Sequence, residues 1–153
     1  MRIKHKETGK ILWEDRKVRD FKGISLNGVD LSGADLTDTD FRWANFRWAD
    51  LRWVDFSGAN LIGANFRWAD LEGANFSGAD FEGANFRWAD LRWVNFTGAD
   101  LRWADFIEAN LTGVNFSGAD LRWVNFSGAD LEGVDFSGAD LEGAKRVKNE
   151  NNS

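Results

Sequence analysis

The chain reads as an all-β solenoid, a backbone that bends once every five residues around an apolar shaft. Three observations predict this. From Phe21 to Leu141 every fifth residue is Phe or Leu, across 25 consecutive positions. Two residues before each of them stands a small or apolar residue, such as Ala34, Ala44, Val54 or Ala59, with only Arg19 and Thr39 polar. Immediately before each stands Asp or Asn, with Ser25 the sole departure. A period of five matches neither the roughly 3.6 of a helix nor the roughly 2 of a flat strand. Two inward residues followed by turn-tolerant ones suit a chain that rounds a corner at every unit, with Gly easing the corner where φ is positive. Repeated bends wind into a solenoid that is apolar within and polar without.

A second period lies on the first. Leu occupies 31, 51, 71, 91, 111 and 131, while Phe occupies every tenth position from 46 to 136. Such sorting suits coils with an even number of sides, in which like side chains stack on like. Units of the "GADL" type, as at 33–36, resemble the A(D/N)LXX pattern of the pentapeptide-repeat family across about residues 19–144. The resemblance implies a right-handed quadrilateral β-helix with four units, about 20 residues, in each coil. About six coils would then span 21–143, a rod on the order of 30 Å long at roughly 4.8 Å per coil.

The remaining elements flank this rod. "RIKHKETGKILWE" predicts a β-hairpin with strands at 2–6 and 10–14 joined through Glu7, Thr8 and Gly9. Residues 1–18 are expected to cap the open end of the solenoid, with Trp13 and either Ile11 or Leu12 over the first coil. The tail 145–153, "KRVKNENNS", lacks the amphipathic helix by which many relatives dimerise, so a monomer is expected, with Lys145, Arg146 and Lys148 blunting the edge.

Eight units place Arg and then Trp at the two outward positions, at 42–43, 47–48, 52–53, 67–68, 87–88, 92–93, 102–103 and 122–123. Elsewhere the second outward residue is Gly, except at Thr37-Asp38 and Ile107-Glu108. On the four-sided geometry that the resemblance implies, Trp48, Trp68 and Trp88 form a ladder on one side, with Arg47, Arg67 and Arg87 beside it. Asn45, Asn65 and Asn85 replace Asp along that stripe. Trp53 with Trp93, and Trp43, Trp103 and Trp123, are expected on other sides with gaps between them. Stacked indoles and guanidiniums would stabilise the coil surface by roughly 0.5–1 kcal/mol per contact. The same residues are favoured at binding hot spots, so Arg47, Trp48, Arg67, Trp68, Arg87, Trp88, Trp53 and Trp93 are the candidate partner-binding residues.

Composition narrows the function. Nineteen basic residues against 25 acidic ones give a net charge of −6, which disfavours a duplex nucleic acid partner. Cysteine is absent and His5 is the only histidine, leaving no basis for a triad or a zinc site. The stacked aspartates lack calcium-loop spacing and are expected to bond their own turns. Serines such as Ser57, Ser77 and Ser117 have no activating base, no phosphate loop is present, and a filled shaft leaves no pocket. No apolar run reaches the roughly 18 residues that span a bilayer, and the charged N-terminus is unlike a signal peptide, so a cytoplasmic location is expected. Nothing requires a cofactor. The expected function is a non-enzymatic rigid scaffold or protein-interaction module, with single-stranded nucleic acid or a glycan as lesser partner classes. The family resemblance implies an alternative, an acidic rod that mimics duplex DNA and binds DNA gyrase. The regularity of the units is compatible with an engineered repeat protein, while Ile62, Ile107-Glu108 and the scattered Val speak for natural drift.

Overall fold

A computed structural model describes residues 2–14 and 20–146. The end of the expected cap, residues 15–18, together with Arg19 and the tail beyond Arg146 that includes Lys148, lies outside the described residues.

The five-residue unit is explained by its hydrogen bonds. In unit 41–45 the Phe41 amide donates to the Asn60 carbonyl of the next coil (2.8 Å) and the Arg42 amide to Oδ1 of Asp40 (3.2 Å). The Trp43 amide donates to the Ile62 carbonyl (2.9 Å), and Ala44 closes the turn onto Phe41 (2.9 Å). Asn45 reaches back to the Ile24 carbonyl of the preceding coil (2.8 Å). All five amides are therefore engaged, and a proline at any phase would delete one, which accounts for a chain with no proline. The Asp or Asn before each Phe or Leu is explained as well. Its side-chain oxygen accepts the amide two residues on, as at Asp30, Asn45, Asp70 and Asn85, a turn that only a short polar side chain closes.

At the third residue of every turn φ lies between 52° and 70°, whether that residue is Gly, Trp, Asp38 or Glu108. Positive φ at that position alone is the type II pattern. Parallel bridges join residues twenty apart, from Ser25–Asn45 to Asp120–Asp140, along all four sides. The chain is a right-handed quadrilateral β-helix in which each side contributes only a residue or two of pairing per coil.

Inside, Phe46, Phe66, Phe86, Phe106 and Phe126 stack at 4.8–5.4 Å between centroids. On the facing side Phe56 to Phe136 stack at 5.1–5.6 Å. The two columns meet edge to face, as between Phe86 and Phe96 (5.9 Å, 84°), the arrangement that aromatic quadrupoles prefer. Leu31 to Leu111 fill an intervening side, fully buried. This is the sorting that the ten-residue period predicts.

At the N-terminal end β1 (Arg2–Lys4) pairs antiparallel with β2 (Ile11–Glu14), with a register shift between Ile3 and Lys4. The paired strands are shorter than the 2–6 and 10–14 read from the sequence; His5 still donates to the Lys10 carbonyl (2.9 Å) and also bridges Ala34 of the first coil. Lys6 donates to the Gly33 carbonyl (2.9 Å) and Asp35 to that of Lys4 (3.0 Å). Ile3 is buried, Leu12 and Trp13 pack on the core, and Trp13 lies 6.0 Å from Phe21, whereas Ile11 stays 43% exposed. At the other end β3 (Asn125–Phe126) pairs parallel with β4 (Lys145–Arg146). Leu131, Phe136 and Leu141 are only half-buried there, and the Arg146 guanidinium lies 4.6 Å from the Phe136 ring.

Candidate functional site

The turn geometry decides where the tryptophans stand. All eight occupy the left-handed third position of the turn, with φ of 57–64°, a conformation that costs a non-glycine residue roughly 1–2 kcal/mol. From there each indole leans over the equivalent residue of the next coil. The residue there is Gly for four of the eight, Trp for three, and Glu108 for Trp88.

Where Gly waits, the indole lies on it. A Cβ at Gly73 would come within 2.2 Å of Trp53 Cζ3, one at Gly113 within 2.4 Å of Trp93, and one at Gly63 within 2.7 Å of Trp43. Trp53 and Trp93 are thus isolated rings, and the structure does not bring them into the ladder. Where Trp waits, the indoles stack. Trp48 and Trp68 lie 4.6 Å apart at 3°, and Trp68 and Trp88 lie 4.9 Å apart at 8°. Trp103 and Trp123 also stack, at 5.4 Å and 9°. The expected gap between these two is corrected: they are twenty residues apart and so occupy adjacent coils.

The arginines divide differently, by whether Asp or Asn stands two residues before them. Arg42, Arg52, Arg92, Arg102 and Arg122 each pair with the Asp two residues earlier. These bonds hold the carboxyls of Asp40, Asp50 and Asp120 below the usual range. Several also reach the neighbouring coil, as Arg92 to Glu72 (2.9 Å) and Arg102 to Glu82 (2.8 Å). Arg47, Arg67 and Arg87 have Asn in place of that Asp, and its Oδ1 is taken by the backbone amide of the arginine itself. Their guanidiniums turn onto the indoles instead. Arg47 and Arg67 lie 5.3 and 4.6 Å from the Trp68 centroid, and Arg67 and Arg87 lie 5.2 and 4.8 Å from that of Trp88. The Nε atom of each of the three is buried without a hydrogen-bond partner.

The sequence pattern therefore identifies the Trp48–Trp68–Trp88 ladder and its Asn stripe, but not the role of the glycines twenty residues on as seats for single indoles. That signal is present in the sequence, at Gly63, Gly73, Gly113 and Gly143.

Two expectations about other sites change. An open cleft of about 360 Å³ lies where the hairpin meets the coils, lined by His5, Lys6, Glu7, Ser32, Gly33 and Trp53, although a filled shaft predicted no pocket. It is an outer cleft beside the hairpin turn, where the His5 imidazole lies against Gly33 and the Lys6 amide bonds the Gly33 carbonyl. Ser57 does have a carboxylate beside it, its Oγ donating to Asp55 (2.7 Å), but the same oxygen accepts the Ser57 amide and the pair locks a turn. Among the described residues no group of three or more His, Asp or Glu is placed to hold a metal ion. No helix among them is long and apolar enough to cross a membrane.

Stacked four-sided coils of five-residue turns, displaying their outward residues in columns, define a class of solenoid proteins. A sequence model of pentapeptide repeats matches residues 20–52, 49–87, 84–122 and 115–145 with eight copies, and the chain belongs to the pentapeptide-repeat family. It is similar to a pentapeptide repeat protein of the Arabidopsis thaliana thylakoid lumen, at 40% identity over 67% of this chain and 68% of that one, with a TM-score of 0.50. It is also similar to Rfr23, a pentapeptide repeat protein of the cyanobacterium Cyanothece 51142, at 24% identity over 80% of this chain and 87% of that one, with a TM-score of 0.50. QnrB1, a plasmid-mediated fluoroquinolone resistance protein, shares 23% identity over 84% of this chain and 86% of that one with a TM-score of 0.37, a likeness too low to carry a functional argument. No curated protein matches the chain.

Proposed function

We propose that the chain is a non-enzymatic scaffold that docks a protein partner along the Trp48–Trp68–Trp88 ladder and its flanking Arg47, Arg67 and Arg87. One observation carries the reading: this stripe is poorly explained by folding alone. Three buried Nε donors without acceptors cost about 1–3 kcal/mol each. Cation–π contacts of roughly 0.5–2 kcal/mol each do no more than offset them. Two indole stacks at about 0.5–1.5 kcal/mol each fall short of the roughly 1–2 kcal/mol that each of the three left-handed tryptophans costs. Strain without a net gain in stability is characteristic of surfaces kept for a partner.

A protein partner is favoured over single-stranded nucleic acid by the placement of the rings. Neighbouring indoles cover the inner faces on which bases would stack, and what remains outward is a row of ring edges. Duplex mimicry would be favoured by a continuous acidic face. Here Arg52 reaches Asp50 and Asp70, Arg102 reaches Asp100 and Asp120, and Arg122 reaches Asp120 and Asp140, so two of the acidic columns are interrupted. A third column changes to Asn at 75, 95 and 115.

The test compares affinity capture by the chain with capture by a Trp48→Gly/Trp68→Gly/Trp88→Gly variant. Gly is the residue native to this turn position, so the variant should keep its far-UV circular dichroism while losing the captured protein. Equal capture by both would overturn the reading.

A further inference from the structure

We propose that the ladder receives an α-helix bearing a row of carboxylates three or four residues apart. This deepens the docking reading and rests on it. The charge of the stripe is the first ground. Five of the eight module arginines are neutralised by their own Asp, but Arg47, Arg67 and Arg87 are not. Among the described residues Asp105 alone has a carboxylate oxygen within 4.0 Å of any of the three, at 3.7 Å from Arg87 Nη1. With Nε turned against the protein and the Nη groups not buried, the three guanidiniums present their outer donors to whatever lies on the ladder. Guanidiniums in this orientation select carboxylates or phosphates.

Spacing separates the possible carriers. The rungs repeat at 4.6 and 4.9 Å. Along an extended strand, side chains on one face recur every second residue, roughly 6.4–6.8 Å apart. Phosphates of a B-form strand rise about 3.4 Å each. Helical residues at i, i+3 or i+4 lie about 5–6 Å apart at Cβ, and flexible Glu side chains absorb the remaining difference. Charge next to the stripe argues the same way. Asp50, Asp70 and Asp90 form a column two residues beyond the tryptophans, and burial and the Asp90 charge raise the pKa of Asp70 from its ordinary value. A nucleic acid strand, with charge on every side, would run against that column, whereas a helix turns its acidic row to the arginines and an apolar or basic flank to the neighbouring surface.

The probes are three alanine-based helical peptides and an oligothymidylate, titrated against the full chain by calorimetry. One peptide carries Glu at i, i+4 and i+7, the second the same residues with Glu at i, i+2 and i+9, and the third Gln for every Glu. The first should bind at least tenfold tighter than the other two and tighter than the oligonucleotide. Its affinity should fall at least tenfold for Arg47→Gln/Arg67→Gln/Arg87→Gln, a variant checked for fold by far-UV circular dichroism. It should persist for Arg92→Gln/Arg102→Gln/Arg122→Gln, whose arginines already have partners. Equal binding of the two Glu peptides, tighter binding of the oligothymidylate, or equal loss in the control variant would overturn the proposal. If no peptide binds while the triple Trp variant still loses the captured protein, the acidic-helix inference is wrong and the docking reading stands. If that variant captures as the parent chain does, the docking reading itself falls.

Discussion

At the scale of the residue, the unusual feature is tryptophan at φ near +60°. A branched or aromatic side chain in that region is strained, and the coil tolerates it because the turn's hydrogen bonds do not involve the side chain. The balance then depends on what each indole touches. Trp43 lies on Gly63 without an aromatic neighbour, while Trp68 is stacked on both sides. Replacement of Trp43 by Gly should leave stability unchanged or raise it by up to about 1 kcal/mol, through relief of the backbone strain. Replacement of Trp68 by Gly forfeits two stacks and should be less favourable than the Trp43 change by about 1–2 kcal/mol. Urea denaturation of the two variants reads the difference, and equal midpoints would show that stacking contributes nothing.

At the scale of the element, each coil is a layer whose stability comes from the layers on either side. Phe86 lies between Phe66 (4.9 Å) and Phe106 (4.8 Å) and meets Phe96 edge-on. Its replacement by Ala should cost about 3–5 kcal/mol. Phe136 has a ring on one side only, Phe116 at 5.6 Å, and is half-buried at the open end under Arg146. Because a solenoid is stabilised by nearest neighbours, Phe136→Ala should cost about half as much or less, with unfolding starting from that end. Hydrogen exchange should then show amides of 126–144 opening before those of 61–100. Uniform protection along the rod would contradict the layered picture.

For the whole molecule, carboxylates stand in columns broken by Asn and by paired arginines, and acid should destabilise it. Asp40, Asp50 and Asp120 have folded pKa values depressed by their arginines, and Asp135 by Ser137. A depressed folded value adds stability above the unfolded pKa of about 3.9, and that stability is lost as pH falls through the folded values. Asp70 acts in the opposite sense. Its pKa is raised by burial and by its neighbour Asp90, so its ionisation opposes folding at neutral pH. The melting temperature should therefore be flat between about pH 8 and 5 and fall below about pH 4. Asp70→Asn should raise it at pH 7 and leave it unchanged at pH 3, since Asn keeps the bond to the Glu72 amide. The effect should be under about 1 kcal/mol, because the group is partly solvated. A lower melting temperature for Asp70→Asn at pH 7 would show that its contact with Arg52 outweighs the repulsion.

By itself the sequence determined the fold, because every unit repeats the same local instruction. A short polar residue closes the turn, Phe or Leu points inward, and the period of five sets the corner. The side of each outward residue followed from the four units per coil that the family resemblance implies, so the Trp48–Trp68–Trp88 ladder and the Asn45, Asn65 and Asn85 stripe were legible in advance. The same count places Trp103 beside Trp123 and Gly73 and Gly113 beside Trp53 and Trp93, but the tertiary structure alone decided the direction in which the indoles lean, and so that these neighbours touch. It also decided which arginines are neutralised and which lie bare against the rings. These are matters of side-chain rotamer and contact between coils, set by what stands twenty residues away in the next layer rather than by the residues adjacent in the chain.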